Sequence, residues 1–222
     1  MSDSFEALSA ATGIALPAAL RQVIARGGNS YDDPKRTALS ALYDFEWLSA
    51  RQAQEVVAGW LNPVKQNGNA FLPFARSGAG DAYCLVRLRS GEEGVCMVWH
   101  DAGASHLDYA SFDRFIVAEY LNVFAELDLV DDEAGDPVAC VRTDVARVID
   151  LLDPALQSMV LRCLDKSPAE HPYQQGPKGR VEMVMALIGQ DELNALCSQV
   201  NIADPSAFDV VARWEASLSS SS

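Results

Sequence analysis

Between Phe71 and Trp99 the chain reads FLPFARSGAGDAYCLVRLRSGEEGVCMVW. Three short apolar runs, Phe71–Phe74, Ala82–Leu88 and Val95–Trp99, are separated by glycine-containing turns. Runs this short, continuous and turn-bounded read as buried strands, since a helix would need apolar residues every three or four positions over a longer stretch. Ser90-Gly91-Glu92-Glu93-Gly94 reads as a hairpin turn, which makes its two flanking strands antiparallel neighbours.

The turn Gly78-Ala79-Gly80-Asp81 raises the question of a nucleotide site. A dinucleotide fingerprint needs a third glycine and a following helix, but the third position is Tyr83 and a strand follows. A phosphate loop would end in Gly-Lys-Ser/Thr, and no helix N-terminus stands ready to hold an anion. The glycines are read as a sharp turn into a strand, with Asp81 bonding the turn's own backbone.

Helical signals surround the strands. Ile14–Arg26 places Leu16, Leu20, Val23 and Ile24 at helical spacing, with Pro17 in the first turn and Gly27-Gly28 as the stop. Leu39–Leu48 reads as a strand. Ser49 with Gln52 matches a capping box for a helix reaching Leu61. His106–Tyr109 reads as a further short strand, and Ser111 caps a helix whose apolar face is Phe112, Phe115, Ile116, Tyr120 and Val123. After Ala125 the acidic stretch LDLVDDEAGD leads into segments that begin with Asp-Pro, at Asp136-Pro137, Asp153-Pro154 and Asp204-Pro205, a helix-start signature. Ser167-Pro168 reads as another helix start. Helices are predicted over Val181–Ile188, Glu192–Val200 and Pro205–Leu218. The organisation predicted is an α+β region at residues 1–125 followed by an all-helical region at 126–222. The extreme ends, Met1–Ser4 and Ser217–Ser222, are expected to lack fixed structure.

Composition narrows function. The chain carries a formal charge of −14, so nucleic acid and anionic membrane are poor partners and a basic protein is a suitable one. The acidity is uneven: residues 1–125 hold 10 Lys and Arg against 14 Asp and Glu, and residues 126–222 hold 7 against 17. The opening MSDSFEALSAATG has no basic stretch or long apolar core, so neither a signal peptide nor a membrane span is expected, and the protein is placed in the cytoplasm. Cys84, Cys96, Cys140, Cys163 and Cys197 lie in apolar segments without a CxxC pair, and read as packed thiols rather than nucleophiles or ligands. His100 and His106, six apart and close to Asp101 and Asp108, do not form a helix-face metal pair. No G-x-S-x-G elbow is present. Trp47, Trp60, Trp99 and Trp214 are expected in the core. No metal, cofactor or catalytic residue is predicted.

The ordered segments LPAALRQVIARGGN (Leu16–Asn29), WLSARQAQEVVAGW (Trp47–Trp60), FLPFARSGAGDAYCLVRL (Phe71–Leu88), GVCMVWHDAG (Gly94–Gly103) and YASFDRFIVAEYL (Tyr109–Leu121) resemble the SMI1/KNR4 family, also called the SUKH superfamily. Gly27-Gly28-Asn29 departs from the family's Asn-Gly-Gly, and the region after 125 lies outside the resemblance. The resemblance implies a twisted, largely antiparallel sheet flanked by helices. It also implies binding rather than catalysis. Bacterial members are commonly immunity proteins that neutralise a toxin, often a nuclease, and other members, notably fungal ones, are regulatory interaction hubs. A basic nuclease-type toxin suits the charge of this chain. The expected contact residues are Asp81, Glu92, Glu93, Asp101 and Asp108 at loop ends of the sheet, with Asp131, Asp132, Glu133 and Asp136 of the acidic linker as a second candidate. The oligomeric state stays open.

Overall fold

The computed structural model describes residues 4–130, 135–174, 176 and 178–218. Its sheet is antiparallel throughout, in the order β1 (Glu46–Trp47), β2 (Ala70–Arg76), β3 (Ala82–Arg87), β4 (Glu93–Val98). The β3–β4 hairpin pairs Cys84 with Cys96 and Arg87 with Glu93. It is closed by the Leu88 N–H donating to the Glu92 carbonyl at 2.8 Å, with Gly91 at φ 96°, a backbone state that favours glycine.

Burial on both faces explains why β3 is apolar throughout. Tyr83 and Leu85 point into one cluster, and Ala82, Cys84 and Val86 into another. Alternation along β4 is the same, with Val95 on the first side and Cys96 and Val98 on the second. Pro73 is tolerated inside β2 because the register shifts there: Pro73 faces Cys84 and Ala75 faces Tyr83, leaving Phe74 as an extra residue.

The first face of the sheet carries α1 (Phe5–Thr12), α2 (Ala18–Ala25), α3 (Ala50–Gly59) and α4 (Phe112–Ala125). The Ser49–Gln52 capping box starts α3. Helix α4 is apolar on nearly every side because it is a middle layer: Phe115 meets Phe74, Tyr83 and Tyr109, while the opposite side meets the C-terminal region. That region holds α5 (Pro137–Val145), α6 (Pro154–Leu164) and α7 (Gln190–Val200), with Asp136 and Asp153 capping the two proline-led helices. One apolar cluster runs from Phe5 to Val200, so both halves share a core.

Several segments differ from their sequence-based reading. The C-terminal region is helical but not wholly so. Val181–Ala186, read as helix, is strand β7, paired with β6 (Ala169–Gln174), which begins where the Ser167-Pro168 helix start was expected. The apolar residues of β7 alternate rather than share a helical face: Val184 and Ala186 are buried, and Val181, Met183 and Met185 are exposed. Pro205–Leu218, read as one helix, is strand β8 (Ala207–Asp209) followed by α8 (Arg213–Leu218), because β8 pairs with β5 (Ala104–His106) instead. Leu39–Leu48 is mostly turns, with Leu39 and Asp44 at positive φ, and only Glu46 and Trp47 join the sheet. Pro17 caps α2 rather than lying within it. Of the two ends expected to lack structure, Ser4 caps α1 and α8 extends through Ser217 and Leu218. Trp47 and Trp60 are buried, but Trp99 and Trp214 are 48% and 60% exposed, so only half of the tryptophans are core.

Candidate functional site

The acidic residues singled out in the sequence occupy opposite ends of the sheet. Asp81 precedes β3 and Asp101 follows β4, which sets them at one end. Glu92 and Glu93 lie at the hairpin, at the other end. The five steps from Ala82 to Arg87 correspond to about 17 Å of extended strand, so the two groups form two patches.

At the first end the Gly-Asp turn ties itself to the β4 exit. The Asp81 carboxylate accepts from the His100 backbone N–H at 3.0 Å and from Ser77 Oγ at 3.0 Å, and lies 2.7 Å from His100 Nδ1. Burial works to raise the Asp81 carboxyl, but the hydrogen bonds from His100 and Ser77 outweigh it and hold it below the usual carboxylate range. Asp81 is buried and fully engaged, whereas Asp101 is exposed. Asp44 reaches the same turn and accepts from the Gly78 N–H.

At the second end Glu92 and Glu93 are exposed. Glu92 accepts from Ser206 Oγ at 2.6 Å and Ser90 Oγ at 2.7 Å, and these bonds lower its pKa. Asp108 sits between the ends, just after β5. Burial raises its pKa, with partial offset from the Met97 backbone and from His106. Asp136 caps α5 by accepting from the Val138 N–H at 3.1 Å, well apart in sequence from both sheet ends. Asp131, Asp132 and Glu133 lie outside the described residues. Exposed carboxylates thus surround the sheet without converging on one point. Such a distribution can steer a cationic surface.

Two polar centres escape sequence reasoning. Asp144, 1% exposed, accepts from the Ser40 and Ala41 N–H groups, Ser40 Oγ, Tyr120 Oη at 2.8 Å and Arg147 Nη1 at 3.1 Å. It joins the 31–41 loop, α4 and α5. Arg147 also donates to the carbonyls of Pro34, Lys35 and Thr37. A recess of about 600 Å³ opens beside this junction, with Tyr31, Thr37, Cys140 and Arg147 in its walls. The available signal was an i,i+3 acid–base pair, Asp144 and Arg147, set among the apolar positions Val141, Val145 and Val148. The second centre is Gln66, wholly buried between α3 and β2, whose amide bonds the backbone of Val211. A lone glutamine in a polar loop carries no such signal.

Among the described residues, no group of three His, Cys, Asp or Glu side chains is placed to hold a metal ion. No described helix is long and apolar enough to cross a membrane. The thiols of Cys84 and Cys96 are pushed well up by burial, which disfavours thiolate chemistry. No curated protein and no solved structure matches the chain. The model of the SMI1 / KNR4 family (SUKH-1) matches residues 2–118, a span that takes in every element from α1 into α4. With more than half of its 222 residues matched, and with the antiparallel sheet and flanking helices in place, the chain belongs to the SMI1/KNR4 family.

Proposed function

We propose that this chain is a cytoplasmic immunity protein that neutralises a cognate toxin by binding it, without catalysis or a cofactor. The toxin is of the basic, nuclease type. Family membership supports the immunity role, since bacterial members commonly have it. The observation that carries the choice of partner is the charge of −14, with Glu92, Glu93 and Asp101 exposed at the sheet ends and Asp136 exposed at the start of α5. A nuclease surface shaped to grip phosphate is cationic, and an acidic inhibitor meets it with long-range attraction that raises the association rate. Asp81 serves this role indirectly by holding the turn, and Asp131, Asp132 and Glu133 extend the acidic linker beside Asp136.

The test is genetic and then biochemical. Deleting the gene should be toxic, and deleting the partner gene as well should restore growth. Tagged protein should retain one basic protein in near-equal amount at low salt and release it at high salt. Growth unaffected by the single deletion would sink the immunity reading.

A second reading, a regulatory binding module for a host protein, is favoured by one observation. Strand β7 exposes Val181, Met183 and Met185 on one face, outside the family-matched span. Methionine-rich apolar surface is adaptable and suits several partners. Recovery of several host proteins at both salt concentrations would support this reading over the first.

A further inference from the structure

Among the described residues, the exposed aromatic side chains are Tyr31, Tyr43, Trp99 and Trp214. Three of them, from distant parts of the chain, meet at the Gly-Asp turn between β2 and β3. Tyr43 precedes Asp44, whose carboxylate accepts from the Gly78 N–H. Trp99 precedes His100, whose N–H donates to the Asp81 carboxylate at 3.0 Å. Trp214 follows Arg213, whose N–H donates to the His100 carbonyl at 2.8 Å. Each aromatic residue is thus one step, about 3.8 Å of chain, from a bond that reaches the turn or His100. They are 63%, 48% and 60% exposed. Trp47 and Trp60, by contrast, are buried, and their indole N–H groups donate to the Ala38 and Val211 carbonyls.

The turn among these rings is low and fixed. Gly78, Ala79 and Gly80 carry nothing larger than a methyl group. Gly80 has φ 93°, and a Cβ on Gly78 would lie 3.0 Å from Asp44 Oδ1, so both positions suit glycine. The Ser77 N–H donates to the Asp81 carbonyl at 2.9 Å, and the Gly80 N–H donates to the Ser77 carbonyl at 3.0 Å. Tryptophan and tyrosine around such a floor offer large, stiff contact area at low entropic cost, the composition of an interface anchor. Charge selects the partner. Asp44, Glu46, Asp81 and Asp101 lie at this end of the sheet, against Arg76, which pairs with Glu46 at 2.8 Å, and Arg213, beside Gly80. The balance is acidic, and aromatic ring faces attract cations.

We propose that this sheet end is the docking surface, and that a partner arginine or lysine side chain lies over the turn against Tyr43, Trp99 and Trp214. Its stem covers the glycines, while its cation meets a ring face and the carboxylates of Asp44 and Asp101. The proposal rests on the immunity reading only for the partner's being a basic protein.

The test reads the surface without a toxin. The probe is a tetra-arginine peptide, added to the full chain at about 0.15 M salt, where charges beyond about 8 Å are screened. In wild type, the indole N–H signals of Trp99 and Trp214 should shift on titration, and those of Trp47 and Trp60 should stay in place. Tyr43→Ala, Trp99→Ala and Trp214→Ala together change no charge, yet should weaken the peptide at least tenfold. Glu92→Lys with Glu93→Lys should weaken it less than threefold, although it removes negative charge. No shift, equal shifts at all four indoles, or wild-type affinity in the triple variant overturns the proposal. The wild-type spectra decide if the triple variant does not fold. Docking here together with harmless deletion of the gene would uphold the surface and refute the immunity reading.

Discussion

The two faces of the sheet are both dry and both apolar, yet they are closed by different physics. On the α4 side, aromatic rings interlock: Phe74 is within 5.4 Å of both Phe112 and Phe115, and Phe45 bridges Trp47 and Tyr83. Side-chain volume defines that contact, so little else would fit. On the β8 side, buried Phe71, Cys84, Val86 and Val98 lie under a segment that adds backbone bonds to its own packed Phe208, Val210 and Ala216. A surface closed by shape admits one occupant, whereas a surface closed by backbone pairing tolerates a change of sequence.

The largest effect should come from the junction behind α4. Asp144→Ala leaves the Ser40 and Ala41 N–H groups and the buried Tyr120 hydroxyl without their acceptor and strips Arg147 of its carboxylate. A loss of about 3–5 kcal/mol is expected, read as a lowered denaturation midpoint at unchanged m-value. A loss under about 1 kcal/mol would show that the 31–41 loop is not anchored to the C-terminal helices through this carboxylate.

Paired truncations sharpen the comparison of faces. Phe74→Ala opens a fully buried site between sheet and α4, with an expected cost of about 3–5 kcal/mol. Phe208→Ala removes a half-buried ring on the other face and should cost about 1 kcal/mol. Equal costs in chemical denaturation would break the distinction, because the β8 face would then be closed by side-chain packing as well.

These residues also show why parts of the fold were readable and parts were not. The β3–β4 hairpin, the α3 capping box and the proline-led helices are local: turn, cap and period lie within a few residues, and they were legible. The family-matched region was legible as an order of such signals. Strand β7 and residues 206–212 were not, because an apolar run near a helix-start signal is ambiguous until its partner is known. The partners, β6 and β5, were set by tertiary pairing. Exposed Glu92, Glu93 and Asp101 were legible as charge. That Asp81 is occupied by His100 and Ser77, and that Asp144 rather than any loop acid is the buried carboxylate of the core, depended on contacts across 19 and about 100 residues.

The α4 side also carries a pH dependence. Burial raises the Glu119 carboxyl to about 7, despite the hydrogen bond from Tyr109, with Asp108 adding to the rise. Below about pH 4.5 the group is protonated in both folded and unfolded chains, and its contribution is at its most favourable. Between 4.5 and 7 the unfolded chain ionises while the folded one resists, so stability falls by up to about 3 kcal/mol. Above 7 both are ionised and the loss is constant. Denaturation of wild type and Glu119→Gln across pH 4.5 to 8 should give a difference that grows over this window, and a flat difference would refute the assignment.

The smallest stability effect belongs to the residue that touches both the hairpin and the β8 side. Glu92 is solvent-exposed and accepts hydrogen bonds from the Ser90 and Ser206 hydroxyls. Surface substitutions of this kind leave stability almost unchanged. Charge reversal in Glu92→Lys with Glu93→Lys should therefore leave the melting curve almost unchanged while slowing association with a basic toxin at low salt. The difference from wild type should shrink as ionic strength rises, since exposed charges are screened beyond about 10 Å at 0.1 M salt. Reversal of Asp101 in the same way reports on the opposite sheet end. If only the hairpin pair slows association, the partner approaches near Ser206 and the segment that covers the sheet. If only Asp101 does, it approaches where the Asp81 turn meets the end of β4. Equal slowing by both would mean that the field of the whole molecule, and not one patch, guides the encounter.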